Sequence, residues 1–355
     1  MERDSRHILL SIIIPVYNVK FYLRACVKSV IQQGDFHGLY EILLINDGST
    51  DGSDLLCDQL AGYYAFIHVY HQKHAGLGAA RNTGIRNAVG EYLLFLDADD
   101  FIGKHTLVRL FKGIWNQCAD VYFLNSYKYF GKGRLQAMSD NRLREVDSLC
   151  KNDCMKLFAQ LEKYPGSACD KAVRRCMVIT HGIFFEEGVV GEDLVWVLKC
   201  LLYAQDFQYL EIDYYFYRQN RPGSITSCCD ASRYMDQIHV LRQGVALAQT
   251  PKGKCYQKEI YTMMAYEAEV ALLFWGMLSK EERMRIELDG DMLMLLKYRN
   301  TGRTKFIRRL IRKIGAEKTA HILGCGYFVL QKCLANGYKK GVSGDEKAAY
   351  CKKGK

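Results

Sequence analysis

The sequence predicts an α/β protein with a mostly parallel sheet flanked by helices, followed by a helical C-terminal extension. Three observations predict it. Apolar, β-type runs alternate with helically spaced segments through the first hundred residues, the pattern of repeated βαβ units with right-handed crossovers. The polar, unusual segments of that stretch come directly after the strands. After Thr226 the pattern turns helical to the end, with basic stretches and no internal repeat. These place one domain over 1–226 and a second, helical region over 227–355.

The elements follow in order. Leu9 to Pro15 is rich in isoleucine and reads as the first strand. Val19 to Gln32 sets Tyr22, Leu23, Cys26, Val27 and Val30 on one side of a helix. Tyr40 to Asn46, Ala65 to His71 and Glu91 to Leu96 are the next three strands, and Asp51 to Tyr63 and Gly78 to Val89 the helices between them. Beyond Ala119 the pattern loosens. Val121 to Tyr129 reads as a strand, Leu149 to Leu161 as a helix, Glu192 to Ala204 as an apolar helix and Phe207 to Tyr217 as an aromatic strand.

With 355 residues, 49% hydrophobic and 25% charged, the chain is core-forming. No run of about 18 uncharged apolar residues occurs, so no transmembrane helix is expected. Ile8 to Val16 is broken by Pro15 and does not read as a signal peptide. The 14 cysteines form no CxxC pair, and Cys228 and Cys229 are adjacent. That is the usage of reduced thiols in a cytoplasmic protein, not of a disulfide framework or a zinc site.

In an open α/β sheet, ligands bind outside the carboxyl ends of the strands. Four segments meet there: Pro15-Val16-Tyr17-Asn18, Asp47-Gly48-Ser49-Thr50, His74 to Gly78, and Asp97-Ala98-Asp99-Asp100. Aspartates packed as closely as the last group repel unless a cation sits among them. Mg²⁺ and Mn²⁺ take one or two carboxylates plus substrate phosphates. The plain alternative is an Asp-rich turn that caps the next helix. Asp47 to Asp58 has an outline of a calcium loop, but a strand precedes it and the closing acid is the shorter one. Gly76-Leu77-Gly78-Ala79-Ala80-Arg81 mimics a dinucleotide fingerprint with an arginine in place of the third glycine, and it lies in the wrong βα turn. An arginine there suits a diphosphate better. Glu192 and Asp193 open an apolar helix, where the dipole favours acids. Their side chains point about 100° apart, so one at most is expected to face a pocket. Asp193 shares its stripe with Trp196, Val197 and Cys200, and is the one expected to turn inward.

Ser11 to Asn18, Asn46 to Asp51, Ala80-Arg81-Asn82-Thr83-Gly84-Ile85 and Gly90-Glu91-Tyr92 running into Asp97 to Asp100 together resemble the family 2 glycosyltransferases of the GT-A fold, bacterial polysaccharide-building type. The resemblance continues through Asp170-Lys171, Gly191 to Leu194, Tyr217-Arg218 and Gly223 to Thr226. It implies an inverting, metal-dependent hexosyl- or N-acetylhexosaminyl-transferase. The implied donor is a nucleoside-diphosphate sugar such as a UDP-sugar, and the acceptor a hydroxyl of a glycan or lipid-linked glycan. Carried over, Pro15, Tyr17, Asn18 and Asp47 surround the nucleoside, and Arg81 approaches the diphosphate. Asp97, beside Ala98, contacts ribose or the metal shell, Asp99 binds Mn²⁺ or Mg²⁺, and Asp193 is the catalytic base. Lys171, Arg221 and Ser224 are expected phosphate or acceptor contacts. Two rival readings are a nucleotidyltransferase, which wants a Gly-rich basic loop after strand one, and a non-catalytic scaffold, which has no need of Asp97, Asp99 and Asp193.

The C-terminal third lies outside the resemblance, and one segment in it stands out. Arg303 to Ile314 places Phe306, Ile307, Leu310, Ile311 and Ile314 on one helical face and Arg303, Lys305, Arg308, Arg309, Arg312 and Lys313 around the rest. Such a helix can lie in an anionic membrane surface, which implies peripheral attachment at the inner face of the plasma membrane. The alternative is a packed helix with a solvated basic face. Nucleic acid is not expected as a partner, because no aromatic interleaves the charge.

Overall fold

The structure is a computed structural model that describes residues 8–327 apart from 35, 37, 163 and 220–229. It divides into a unit of 1–227 with 239–264, and a unit of 228–238 with 265–355.

The first unit is built on a nine-stranded sheet among the described residues. Strands β1 (Leu10–Val16), β2 (Tyr40–Asp47), β3 (Ile67–Gln72) and β4 (Tyr92–Phe95) alternate with helices α1 (Lys20–Ile31), α2 (Ser53–Tyr63) and α3 (Leu77–Asn87). They pair in parallel in the order β3-β2-β1-β4. β1, β2 and β4 are buried from end to end, as a parallel sheet covered on both faces requires. Helix α3 crosses β1 very closely: a Cβ on Gly84 would lie 2.3 Å from Ile13 Cγ2, so only glycine permits the approach. That approach brings Arg81, one turn earlier on α3, into the interior.

The second half of the sheet was harder to read. β5 (Phe101–Ile102), α4 (Thr106–Asn116), β8 (Lys171–Arg174) and α6 (Arg175–Thr180) were not expected from the sequence. β6 (Val121–Tyr129), α5 (Lys151–Gln160), α7 (Glu192–Tyr203) and β9 (Phe207–Arg218) were. The short β7 (Leu135–Ala137) pairs with β6. β8 joins the halves, antiparallel to β4 and to β6, and the order continues β6-β9-β5. The sheet is therefore mixed. Lys171 and Arg174 within a four-residue strand hide the apolar pattern of β8 from a sequence reading.

Beyond the sheet the described chain is helical: α8 (Ala231–Gln249), α9 (Pro251–Lys254), α10 (Gln257–Met277), α11 (Lys280–Arg285), α12 (Gly290–Leu295) and α13 (Gly302–Ile314), then helix over 316–327. No described helix is long and apolar enough to cross a membrane. Within the second unit, buried Glu269 accepts from Arg303 Nε at 3.1 Å and from the Thr304 hydroxyl, which holds the start of α13.

Of the five residues expected on the apolar face of α13, Phe306 departs from it. Ile307 is 1% exposed, and Leu310, Ile311 and Ile314 are partly covered, so the aliphatic stripe is packed. Phe306 is 55% exposed and lies on the outer side with Lys305, Arg309, Arg312 and Lys313. Arg308 turns back to the Lys297 carbonyl and Asn300 Oδ1, at 2.9 and 2.8 Å.

Candidate functional site

The carboxyl ends of β1, β2, β3 and β4 bring the expected segments to one edge of the sheet. After β1, Asn18 adopts a left-handed backbone (φ 51°) and ties two loops together. Its Oδ1 accepts from Thr50 N–H at 2.8 Å, and its own N–H donates to Ser49 Oγ at 3.1 Å. Lys20 N–H donates to Asp51 Oδ2 at 3.0 Å. Pro15 is buried within β1. Asn18 and Pro15 thus shape the rim.

Asp47 is 2% exposed and already accepts four bonds. Gln72 Nε2 and Ala75 N–H donate to Oδ1 at 2.7 and 2.9 Å, and Gly76 N–H and His74 Nδ1 lie 2.9 and 2.8 Å from Oδ2. Four bonds fill a carboxylate's acceptor sites, so a nucleobase N–H would have to displace one of them. What Asp47 does here is fix the loop and hold the His74 ring. That ring stacks on Tyr17, with centroids 4.0 Å apart and planes at 15°. Tyr17 is 46% exposed, and the pair forms an aromatic surface at the rim. His74 lies in a segment expected at the rim, yet nothing in its spacing singled it out. The acids of the calcium-like loop are similarly engaged: Asp51 accepts from Lys20 and Ser53 N–H, and Asp58 meets His71 Nε2 at 3.0 Å.

Asp97 to Asp100 form a tight turn after β4, closed by Asp100 N–H donating to the Asp97 carbonyl at 3.0 Å. Asp99 is 8% exposed, Asp100 1% and Ala98 3%. The Asp97 side chain remains 29% exposed. Burial, and then the charges of Asp99 and Asp97, push the Asp100 carboxyl well above its ordinary range. Two groups from β9 answer this crowding. The Tyr215 hydroxyl reaches both Asp97, at 3.2 Å, and Asp100. Arg218 donates through its backbone N–H to Asp100 Oδ1 at 2.7 Å and through Nε to the Asp99 carbonyl at 2.9 Å. Its guanidinium also lies 5.1 to 5.9 Å from the rings of Tyr22, Phe101 and Tyr129. Neither residue was among the expected site residues. Their only signal was the aromatic strand and the Tyr217-Arg218 pair.

Among the described residues no group of three His, Cys, Asp or Glu side chains is poised to hold a metal ion. The chemistry of the turn still fits one kind of ion. A pair of hard carboxylates, Asp97 and Asp99, with remaining positions for phosphate oxygens and water, is how Mg²⁺ and Mn²⁺ are bound beside nucleotides.

Two expected phosphate contacts are buried and already paired. Lys171 is fully buried in β8, where its ammonium is taken up by the Asp170 carboxylate and the Ser167 carbonyl. Arg81 is 2% exposed, and its guanidinium is engaged by acids from two other elements. Nη1 donates to Glu192 Oε1 at 2.7 Å and to Asp193 Oδ1, and Nη2 donates to Asp97 Oδ1 at 3.0 Å. The reason is the close packing of α3 on β1, which points Arg81 inward rather than at the rim. Arg221 and Ser224 lie outside the described residues.

The expectation that one acid at the start of α7 turns inward is also revised. Both do. Gly191 precedes them with a left-handed backbone (φ 96°), and both side chains converge on the same nitrogen of Arg81. Glu192 is the more deeply buried, with its side chain 6% exposed against 21% for Asp193. Burial, and then the charge of Asp193, raise the Glu192 carboxyl against the pull of Arg81. Asp193 Oδ2 accepts from Ala168 N–H at 3.0 Å and stays the more accessible of the two.

Residues 11–177 match the model of Glycosyl transferase family 2. Glycosyltransferase GlyA of Streptococcus pneumoniae serotype 4 is 33% identical over 228 residues, 61% of this chain and 31% of that protein. The Poly(ribitol-phosphate) beta-glucosyltransferase of Bacillus spizizenii is 28% identical over 218 residues, 60% of this chain and 33% of that one. The chain thus spans about a third of the length of these two curated relatives. The crystal structure of S. aureus TarS 1–349 in complex with UDP-GlcNAc superposes with a TM-score of 0.66 at 17% identity, covering 90% of this chain and 91% of that one. At that identity the likeness is one of fold, and the fold is GT-A. Residues 11–177, just under half of the chain, thus match a family 2 glycosyltransferase domain.

Proposed function

We propose that this protein transfers a sugar from a nucleoside-diphosphate sugar to a hydroxyl of a glycan or lipid-linked glycan, with inversion at the anomeric carbon. The observation that carries the reading is the Arg81 fork, which sets the strand-end acid Asp97 and the helix-start acid Asp193 on one guanidinium. The exposed Tyr17–His74 pair offers a stacking surface for the base. Asp99 and Asp97 would hold Mn²⁺ or Mg²⁺, which when bound supplies Lewis-acid neutralisation of the diphosphate. Asp193 takes the proton of the acceptor hydroxyl. The acceptor oxygen bonds to the anomeric carbon from the face opposite the diphosphate. The carbon–oxygen bond to phosphate breaks, and the diphosphate leaves with the bonding pair. A uridine donor is favoured because TarS, with the same fold, is solved with UDP-GlcNAc. Cell-surface polysaccharide synthesis is favoured by the poly(ribitol-phosphate) relative.

The test is release of nucleoside diphosphate from a panel of UDP-, GDP- and dTDP-sugars with manganese present. We expect turnover with a UDP-hexose or UDP-N-acetylhexosamine. Absence of release from every donor, with and without glycan acceptors, defeats the reading.

The outer face of α13 is the feature that supports an anionic membrane as a further partner. It is electrostatic, with Phe306 set among Lys305, Arg309, Arg312 and Lys313. Each such cation contributes about 1 kcal/mol near an anionic surface, screened by salt. Co-sedimentation should require phosphatidylglycerol or phosphatidylserine vesicles, weaken with added salt, and fall when Arg309, Arg312 and Lys313 become glutamine. Equal binding to neutral vesicles, or none to anionic ones, leaves the packed helix with a solvated face.

A further inference from the structure

Arg81 is a deeply embedded cation of the site, and no step of the proposed mechanism uses it. It sits on α3, yet its ion pairs are with the turn after β4 and with the start of α7. One guanidinium faces three carboxylates. Nη2 holds Asp97 Oδ1 at 3.0 Å and approaches Cys169 Sγ at 3.7 Å. Nη1 is shared by Glu192 and Asp193. The rings of Phe185 and Phe95 lie 5.3 and 6.0 Å from its central carbon and fix its plane. Nε is buried, with no hydrogen-bond partner among the described residues.

A group wholly enclosed by protein cannot bind a diphosphate without breaking ion pairs, and breaking a buried pair strands a charge. A planar fork suits two acids in two directions, which an ammonium cannot serve at once. Asp193 is held at both oxygens, by Arg81 on one side and by Ala168 N–H at 3.0 Å on the other. Asp97 is held likewise, by Arg81 and by the Tyr215 hydroxyl at 3.2 Å.

We infer that Arg81 is a positioning residue: its fork sets the distance and orientation of the Asp193 base relative to the strand-end aspartates, so that proton removal and departure of the diphosphate occur in register. The inference rests on the proposed transfer reaction. Glu192 is the counter-anion that shares Nη1 and keeps the guanidinium in place. Arg81 touches neither substrate nor the reacting atoms. The reaction depends on it through geometry, where a displacement of about 1 Å costs about 10²-fold in rate.

The experiment compares the wild type with Arg81→Lys, Asp193→Asn and the double variant, measuring kcat and KM for the donor that the wild type turns over. Arg81→Lys keeps the charge and loses the fork. We expect kcat to fall about 10²-fold with donor KM within about threefold of wild type. In the Asp193→Asn background the same change should cost less than about threefold, because the group it positions no longer takes the proton. A tenfold or larger rise in donor KM with kcat preserved makes Arg81 a diphosphate contact and overturns the inference. Fully multiplicative losses in the double variant overturn it as well. Should Arg81→Lys not fold, the pair Arg81→Gln with Glu192→Gln removes one charge of each sign. It should show the same loss of kcat at unchanged KM, and full activity would overturn the proposal.

Hydrogen exchange at the amides of 167–169 gives a readout independent of turnover. It should quicken in either variant as Asp193 loosens its hold on Ala168 N–H, and unchanged exchange counts against the inference. A wild type that turns over no donor defeats the transfer reading instead, while the exchange result still judges whether Arg81 holds Asp193.

Discussion

Asp193→Asn is expected to lower kcat by about 10²–10⁴-fold, the usual worth of a positioned general base, while donor binding stays within about threefold. The amide is nearly isosteric but cannot take the proton. Its effect on stability should be small for a reason visible in the site. The change costs one of the two bonds that Asp193 makes, to Arg81 or to Ala168 N–H. It also removes one of three negative charges gathered on a single guanidinium. Melting temperature, nucleotide binding by calorimetry and single-turnover transfer separate these effects. Glu192→Gln is the control. Its side chain is 6% exposed against 21% for Asp193, and the amide still accepts from Arg81, so its loss should cost much less in kcat. If Glu192→Gln is dead and Asp193→Asn active, the base is Glu192.

Asp99→Ala is expected to abolish transfer, by at least about 10³-fold if the metal contributes several kcal/mol of charge stabilisation, and to remove metal-dependent nucleotide binding. The folded state should not suffer. Asp99 is 8% exposed and its charge crowds the buried Asp100, so removal relieves repulsion within the turn. Calorimetry with UDP in manganese and in excess chelator gives the contrast: wild type should bind tightly only with the metal, and the variant weakly in both. Full activity in Asp99→Ala, or in wild type under strong chelation, contradicts the assignment of the metal to this turn.

Much of the first unit was legible because its information is local. An isoleucine-rich run, helical spacing from Tyr22 to Val30 and acids directly after a strand state their structure within a dozen residues. Topology then does the rest, because parallel strands carry all their carboxyl ends to one edge. The short strands β5 and β8 were not legible. Two to four residues carry too little periodicity, and β8 contains Lys171 and Arg174, whose burial depends on Asp170, Glu91 and Asp120.

The sequence by itself determined the class of fold and the strand-end segments that share one edge of the sheet. Tertiary structure alone decided what each charged group faces. Arg81 reads as a rim arginine until the packing of Gly84 on Ile13 turns it inward to Asp97, Glu192 and Asp193. Phe306 reads as part of an apolar stripe until Ile307 takes the inner position on α13. Periodicity sets the angle at which a side chain leaves its helix. It does not set how close the next element comes, and a charged group's role depends on that distance, because the pairing of buried ions is decided within a few ångströms.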